Sequence, residues 1–317
     1  MRRWIWIAIA VAIGVAALLT FGDMRQLLAR LDGFHWPAFA AALGLALANY
    51  VIRFARWQLY LRRQEVTVRR RDSALIFGAG LSLAITPGKV GELVKSYFLR
   101  ALHDVPATRT APIVIAERVT DLLALLVLAV AGVAAYGIAR GFVAVAAVCV
   151  AGGLVLLAWP RPTRALIELG TQPRLTRRFR GPLLDMYATL AILCRPPLLA
   201  AATALAVPAW ACECVGFALI VNAFPGAHVH LGHAVVIYAA TTIAGALSFL
   251  PGGLGVTEGG MTMWLVSGTA PLDRSTALAA TLLTRLATLW FAVLLGLGCL
   301  AVARRRVQVR RRREVGP

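Results

Sequence analysis

The chain has 317 residues, 60% hydrophobic and only 15% charged, with a mean hydropathy of +0.76. A soluble domain carries about 45–50% apolar residues, so a water-soluble globule is excluded, as are a disordered chain and a small disulfide scaffold. The net charge of +19 comes from 33 basic and 14 acidic residues. In so apolar a chain it points to membrane topology and anionic lipid, not to nucleic acid.

A hydrocarbon core needs about 20 apolar residues per helix. Residues 4–21, after Met1-Arg2-Arg3, read as an uncleaved anchor because no small-x-small cleavage site follows. Further spans are expected at 37–61, 113–136, 142–159, 198–224 and 276–303, which makes six crossings. Two apolar stretches fit differently. Residues 73–86 run into Pro87-Gly88-Lys89-Val90-Gly91-Glu92 and then 93–102. Residues 234–250 run into Pro251-Gly252-Gly253-Leu254-Gly255-Val256-Thr257-Glu258 and then 259–266. Each is a short helix, a Pro/Gly break and another short helix. Neither half can cross alone, so each is expected to be a re-entrant hairpin that enters and leaves on one side; a single broken crossing helix is the alternative.

The arginines separate these alternatives. With a cytoplasmic amino terminus and two re-entrant hairpins, the inner segments hold Arg2, Arg3, Arg62, Arg63, Arg69–Arg71, Arg100, Arg109, the seven between Arg161 and Arg195, and the seven from Arg304 to Arg313. The outer loops hold Arg25, Arg30, Arg140 and Arg274, so the count is 23 against 4. Positive charge stays inside, which favours re-entrance and two cytoplasmic termini. Residues 304–317 form a basic cytoplasmic tail.

The two broken segments align with each other. Pro87 matches Pro251, Glu92 matches Glu258 and Arg118 matches Arg285, at separations of 164, 166 and 167. Asn49 falls opposite Glu213 at the same 164 spacing. Residues 37–137 and 198–303 therefore read as two copies of helix, hairpin, helix within one membrane domain, 1–303. The topology above inverts one copy relative to the other, as in many secondary transporters.

Charged groups at membrane depth are costly and mark function or tight pairing. Those that remain are Arg53, Lys89, Glu92, Lys95, Glu117, Arg118, Asp121, Glu213, Glu258 and Arg285. Glu117, Arg118 and Asp121 share one helical stripe; Thr284, Arg285 and Thr288 repeat it. Asn49, Arg53 and Arg56 form another. At each break the second half-helix begins near mid-bilayer, where unpaired N–H groups and the helix dipole make an anion site. Gly88, Gly91, Gly252, Gly253 and Gly255 allow close backbone approach, and Lys89 adds a full charge. Glu92 and Glu258, one turn in, read as caps that pair with Arg118 and Arg285, or as protonatable substrate contacts. The two roles are compatible.

Other features carry blander readings. Cys149, Cys194, Cys212, Cys214 and Cys299 lie mostly in apolar runs and read as packing residues. His228, His230 and His233 could offer three imidazoles to zinc, but an interfacial loop is the preferred reading, and no metal or other cofactor is expected. The segment 160–197 is the longest soluble stretch, with an amphipathic helix expected at 183–193.

The set Pro-Gly-x-x-Gly-Glu (87–92), Glu-Arg-x-x-Asp (117–121) and Pro-Gly-Gly-x-Gly-x-x-Glu (251–258) resembles the lysylphosphatidylglycerol synthase transmembrane-region family, also called flippase-like membrane proteins. The resemblance covers about residues 10–303. It implies a polytopic inner-membrane protein and, as for the family's best-understood members, movement of an aminoacylated phospholipid between leaflets. The synthases of that family add a soluble transferase domain after the membrane region. This chain is expected to lack one, and hence to be no enzyme.

The combined expectation is an all-α polytopic membrane protein, with six transmembrane helices and two re-entrant hairpins in an inverted repeat. It would carry an anionic or isoprenoid-type lipid. The candidate substrate-binding residues are Pro87, Gly88, Lys89, Gly91, Glu92, Glu117, Arg118, Asp121, Pro251, Gly252, Gly253, Gly255, Glu258 and Arg285. Membrane lipids are the expected partners, with a lipid-synthesising enzyme as a further candidate and no nucleic acid. The rivals are a non-transporting partner of a lipid-modifying enzyme and a small-solute secondary transporter.

Overall fold

The computed structural model describes residues 30–136, 140–173, 176–268 and 271–315, and every regular element in them is helical. The expected first span, 4–21, lies outside the described residues. The helices run in the order α1 (Trp36–Arg63), α2 (Arg70–Leu81), a 3₁₀ turn (Pro87–Leu93), α3 (Val94–His103), α4 (Ala107–Tyr136), α5 (Arg140–Ala158), α6 (Pro160–Gly170) and α7 (Arg180–Leu193). Then come α8 (Pro196–Asn222), α9 (Leu231–Leu247), a short 3₁₀ turn (Pro251–Gly253), α10 (Val256–Ser267), α11 (Arg274–Arg285), a π turn (Leu286–Trp290) and α12 (Phe291–Val315). Among the described residues three runs are long and apolar enough to cross a membrane: α1, α8, and the continuous stretch Arg274–Arg313.

Lipid tails are as apolar as leucine, so burial of leucine against leucine gives these helices little reason to associate. Close backbone packing does that work instead. α1 lies along α8, with Ala42 beside Gly216. α12 lies along α2, where Gly296 faces the backbone of Ser82 so closely that a side chain has no room. α4 is held between α8 and α9. Outward positions such as Leu47, Val51, Leu294 and Leu297 remain exposed, as lipid-facing residues should.

The apolar interior divides into two clusters. On α4, Ile113 and Ala116 belong to one and Ala124 and Ala129 to the other, with Glu117–Asp121 between them. On the run from α11 to α12, Ala287 ends one cluster and Ala292 opens the other, with Arg285 and Thr288 close to that boundary. The polar groups thus sit near the junction of two greasy halves.

The 160–197 segment departs from expectation. It holds two helices. α7, which covers the expected amphipathic stretch, packs on α4 and buries Tyr187 and Leu193. The surface helix is α6, which buries no residue, exposes Leu166 and Leu169 and spaces Arg161, Arg164 and Glu168 at i, i+3 and i+7. Pro160 and Pro162 look like breakers in sequence, but in a first helical turn proline is well tolerated.

Candidate functional site

Both Pro-Gly breaks turn in the same way. Gly88 has φ 56° and ψ 15°, and Gly252 has φ 61° and ψ 12°. Glycine adopts this left-handed region freely. Lys89 adopts it too, at φ 54°, where a side chain costs roughly 1–2 kcal/mol. The two breaks touch: a Cβ on Gly252 would meet Ile85 at 3.2 Å, and one on Gly88 would meet Phe249 at 3.4 Å.

The half-helix starts are less open than the sequence suggests. Thr86 Oγ1 accepts the Gly91 N–H at 2.7 Å, and Glu258 Oε2 accepts the Gly255 N–H at 2.6 Å. Glu258 is therefore a cap, but at the first break the capping oxygen belongs to Thr86 and not to Glu92. These two amides are taken by the protein itself.

Side chains form a dense network at the first break. Lys95 Nζ lies 2.5 Å from Glu117 Oε2 and 3.2 Å from Glu92 Oε2, with Trp57 beneath it at 4.7 Å. Arg118 reaches Glu92 at 3.3 Å and Asp121 at 3.1 Å. Arg56 reaches Asp121 at 2.8 Å, and Arg53 reaches Glu92 at 3.7 Å. Trp210 Nε1 donates to Asp121 Oδ1 at 3.0 Å. The second break is sparser. Arg285 Nε donates to Glu258 Oε1 at 2.6 Å, and its Nη2 donates to the Gly252 carbonyl at 2.6 Å. Tyr238 Oη donates to Glu213 Oε2 at 2.5 Å, and Tyr50 Oη to the Thr288 carbonyl at 2.7 Å.

Between the breaks lies a cavity of about 260 Å³. Of the expected site residues, Gly88, Lys89, Arg118, Asp121, Gly252, Gly253 and Arg285 line it. Pro87, Gly91, Glu92, Glu117, Pro251, Gly255 and Glu258 do not; of the three acids among them, Glu92 and Glu258 stand behind the lining and hold its arginines in place, while Glu117 pairs with Lys95 outside it. Tyr50, Arg53, Trp210, Glu213 and Tyr238 also line it and were absent from the expected set. Arg53 and Glu213 carried a signal, being charged at membrane depth. Tyr50, Trp210 and Tyr238 carried none, because an aromatic inside an apolar run looks like packing.

Four cations therefore face the cavity: Arg53, Lys89, Arg118 and Arg285. Two acids do, Asp121 and Glu213. Arg53 is only 6% exposed and makes no hydrogen bond among the described residues, leaving Nε without a partner. Lys89 has no carboxylate within ion-pair distance among the described residues; its Nζ stands 5.5 Å from the centre of the Trp210 ring. A buried cation without a hydrogen-bonded anion is costly, and Arg53 comes nearest to that case, with Glu92 Oε1 3.7 Å away. Among the described residues no group of three His, Cys, Asp or Glu side chains stands ready for a metal ion; His230 Nδ1 instead accepts the Gly232 N–H at the start of α9.

Residues 5–296 match the family described as "Lysylphosphatidylglycerol synthase TM region". The chain belongs to that family. It is also similar to a UPF0104 membrane protein of Methanothermobacter thermautotrophicus, at 25% identity over 92% of this chain and 94% of that protein. Family and apolar helices together make this a membrane protein, and the match is to a transmembrane region. In this family member the Pro-Gly breaks and the Glu-Arg-x-x-Asp stripe meet around one cavity.

Proposed function

We propose that the chain is a lipid flippase or transporter that moves an anionic or isoprenoid-type lipid between leaflets without covalent chemistry. One observation carries the reading: among the described residues the cavity lining has four cations against two acids, and two of the cations, Arg53 and Lys89, lack hydrogen-bonded anions. A phosphate supplies the missing charge, and charge-assisted hydrogen bonds to it are strong in a site shielded from water. The head-group would enter the cavity while its tails stay in the bilayer.

The reading takes six crossings, with the two breaks as re-entrant hairpins of an inverted repeat. The matching glycine torsions and the matching pairs, Glu92 with Arg118 and Glu258 with Arg285, support it. The 23-to-4 arginine asymmetry supports an inner-membrane setting with both termini cytoplasmic. A His228→Cys variant in a cysteine-free background tests the direction, since His228 is exposed in the loop before α9. Labelling only from the cytoplasm would overturn the inverted arrangement.

The test of function is reconstitution. Purified protein in liposomes should accelerate loss of inner-leaflet protection for a fluorescent anionic lipid, read by quenching with dithionite added outside. If phosphatidylglycerol, isoprenyl phosphates and neutral lipids all move no faster than in empty liposomes, the transport reading fails and a non-transporting partner of a lipid-modifying enzyme takes its place.

A further inference from the structure

The buried acids of the site are not alike. Glu92, Glu117, Asp121 and Glu258 each have an arginine or lysine nitrogen within 4 Å. Glu213, on α8 and 7% exposed, has none among the described residues. Its described partner is the neutral hydroxyl of Tyr238, at 2.5 Å. A hydroxyl can orient a carboxyl but cannot cancel its charge, and a buried carboxyl without a paired cation is neutralised most simply by a proton.

We propose that Glu213 is a proton-binding site, and that a proton on Glu213 and an anionic head-group in the cavity bind cooperatively. The cargo half of this inference rests on the transport reading above; the proton site does not.

The surroundings supply the coupling. Tyr50 and Arg53 face the cavity from α1, Lys89 from the first break, Arg118 and Asp121 from α4, Tyr238 from α9 and Arg285 from α11. Cys212 and Cys214 flank Glu213 on its own helix. Arg53, Lys89 and Arg285 line the cavity together with Glu213, and their positive field bears on its carboxyl when no anion is there. A phosphate among them cancels that field, so Glu213 takes a proton. Linkage makes the effect reciprocal: the proton removes a negative charge from the wall and tightens the phosphate. The step forms one O–H bond, with the proton drawn from water on one side and released with the cargo on the other. The pair crosses the bilayer with one less net charge, which lowers the cost of passage. The same three cations repel an ammonium group, so the wall suits a proton better than a cationic head-group.

The test uses the full chain in detergent and in liposomes. In wild-type protein, infrared difference spectra over a scan from acid to alkaline pH should contain a protonated-carboxyl C=O band that fades as pH rises and grows when short-chain phosphatidylglycerol or an isoprenyl phosphate is added. Glu213→Gln should lose the band and bind the same probe with equal affinity across that range, where wild type binds about tenfold tighter at the acid end. Tyr238→Phe keeps the carboxyl and removes the donor that favours its charged form, so its midpoint should move to higher pH; this variant decides the matter if Glu213→Gln does not fold.

No Glu213-dependent band, pH dependence that survives in Glu213→Gln, or an unmoved midpoint in Tyr238→Phe would each overturn the proposal. So would a Glu213→Gln variant that loses exchange only for amine-bearing lipids. The failure of the transport reading looks different: wild type would then move no lipid, while the band still titrates and still vanishes in Glu213→Gln.

Discussion

The two Pro-Gly breaks share a backbone turn yet differ in how they handle charge. At the first, Lys95, Arg118, Arg53 and Arg56 interlock with Glu92, Glu117 and Asp121. At the second, Arg285 and Glu258 stand as a single pair, with Glu213 on a hydroxyl. The lesson is that a repeated geometry needs no repeated electrostatics. A network can lose a member and share the load, whereas an isolated pair cannot.

The first way to break this comparison is to remove the one member the network cannot replace. Glu117 has Lys95 as its described ion-pair partner. Lys95→Met strands that carboxylate, and breaking a buried pair costs about 3–5 kcal/mol. The variant should all but vanish from the membrane, and Lys95→Met with Glu117→Gln should recover most of the loss, as read by fluorescence-detected gel filtration. If single and double variants behave alike, the pair is not structural.

Next comes the contrast between the two arginines. Arg285→Ala strands Glu258 and should cost about 3 kcal/mol, lowering the thermal midpoint clearly. Arg118→Ala leaves Glu92 with Lys95 and Arg53, and Asp121 with Arg56, so it should cost about 1 kcal/mol. It should nonetheless slow lipid exchange about tenfold or more, because a charged hydrogen bond to phosphate contributes roughly 1.5–3 kcal/mol. Equal stability losses at the two positions would erase the distinction.

A finer comparison uses the glycines. Gly88→Ala and Gly252→Ala both place a Cβ in the left-handed region, at about 1 kcal/mol. Gly252→Ala should be the worse, because its Cβ would crowd Ile85 and Leu289 at 3.2 Å, whereas Gly88 has ordinary room at 3.4 Å. Unfolding midpoints in detergent rank them.

The smallest effect lies at the start of α11. Asp273 caps α11, accepting the Thr276 N–H at 3.0 Å and its hydroxyl at 2.6 Å. Partial burial opposes its charge, but those bonds and Arg30 outweigh it and hold the carboxyl below its ordinary range. Its contribution is therefore present above the ordinary carboxylate value of about 4 and is lost as pH falls through the lower folded one. Asp273→Ala should cost about 1 kcal/mol at neutral pH, and the gap from wild type should narrow only under acid conditions.

Much of this was legible in the sequence. Apolar runs announced α1 and α8, and the cost of buried charge singled out Arg118, Asp121 and Arg285 before any coordinates. The partnerships were not legible. That Lys95 turns to Glu117 depends on how α3 meets α4, and that Thr86 rather than Glu92 caps the first break depends on a two-residue left-handed turn. Trp210 and Tyr238 add an N–H and an O–H to the site, but within an apolar span their rings read as filler. Glu213 was visible as a charge at depth; that no cation stands within 4 Å of it among the described residues could be seen only once its neighbours were in place.

The stretch from Arg274 to Arg313 is helical throughout, passing Arg285 and the π turn on its way out. Beyond the span it stays docked: Arg306 pairs with Asp72, and Arg310 with Asp104 at 2.6 Å. At 1.5 Å per residue, Arg285 and Arg313 are ends of a rod about 42 Å long. The π turn is the one place in that rod where the winding changes. Either a twist started at Arg285 is absorbed there, or it is delivered whole to the surface. A fluorophore at Arg312 distinguishes the two, because it moves with Arg285 only if the twist passes the π turn.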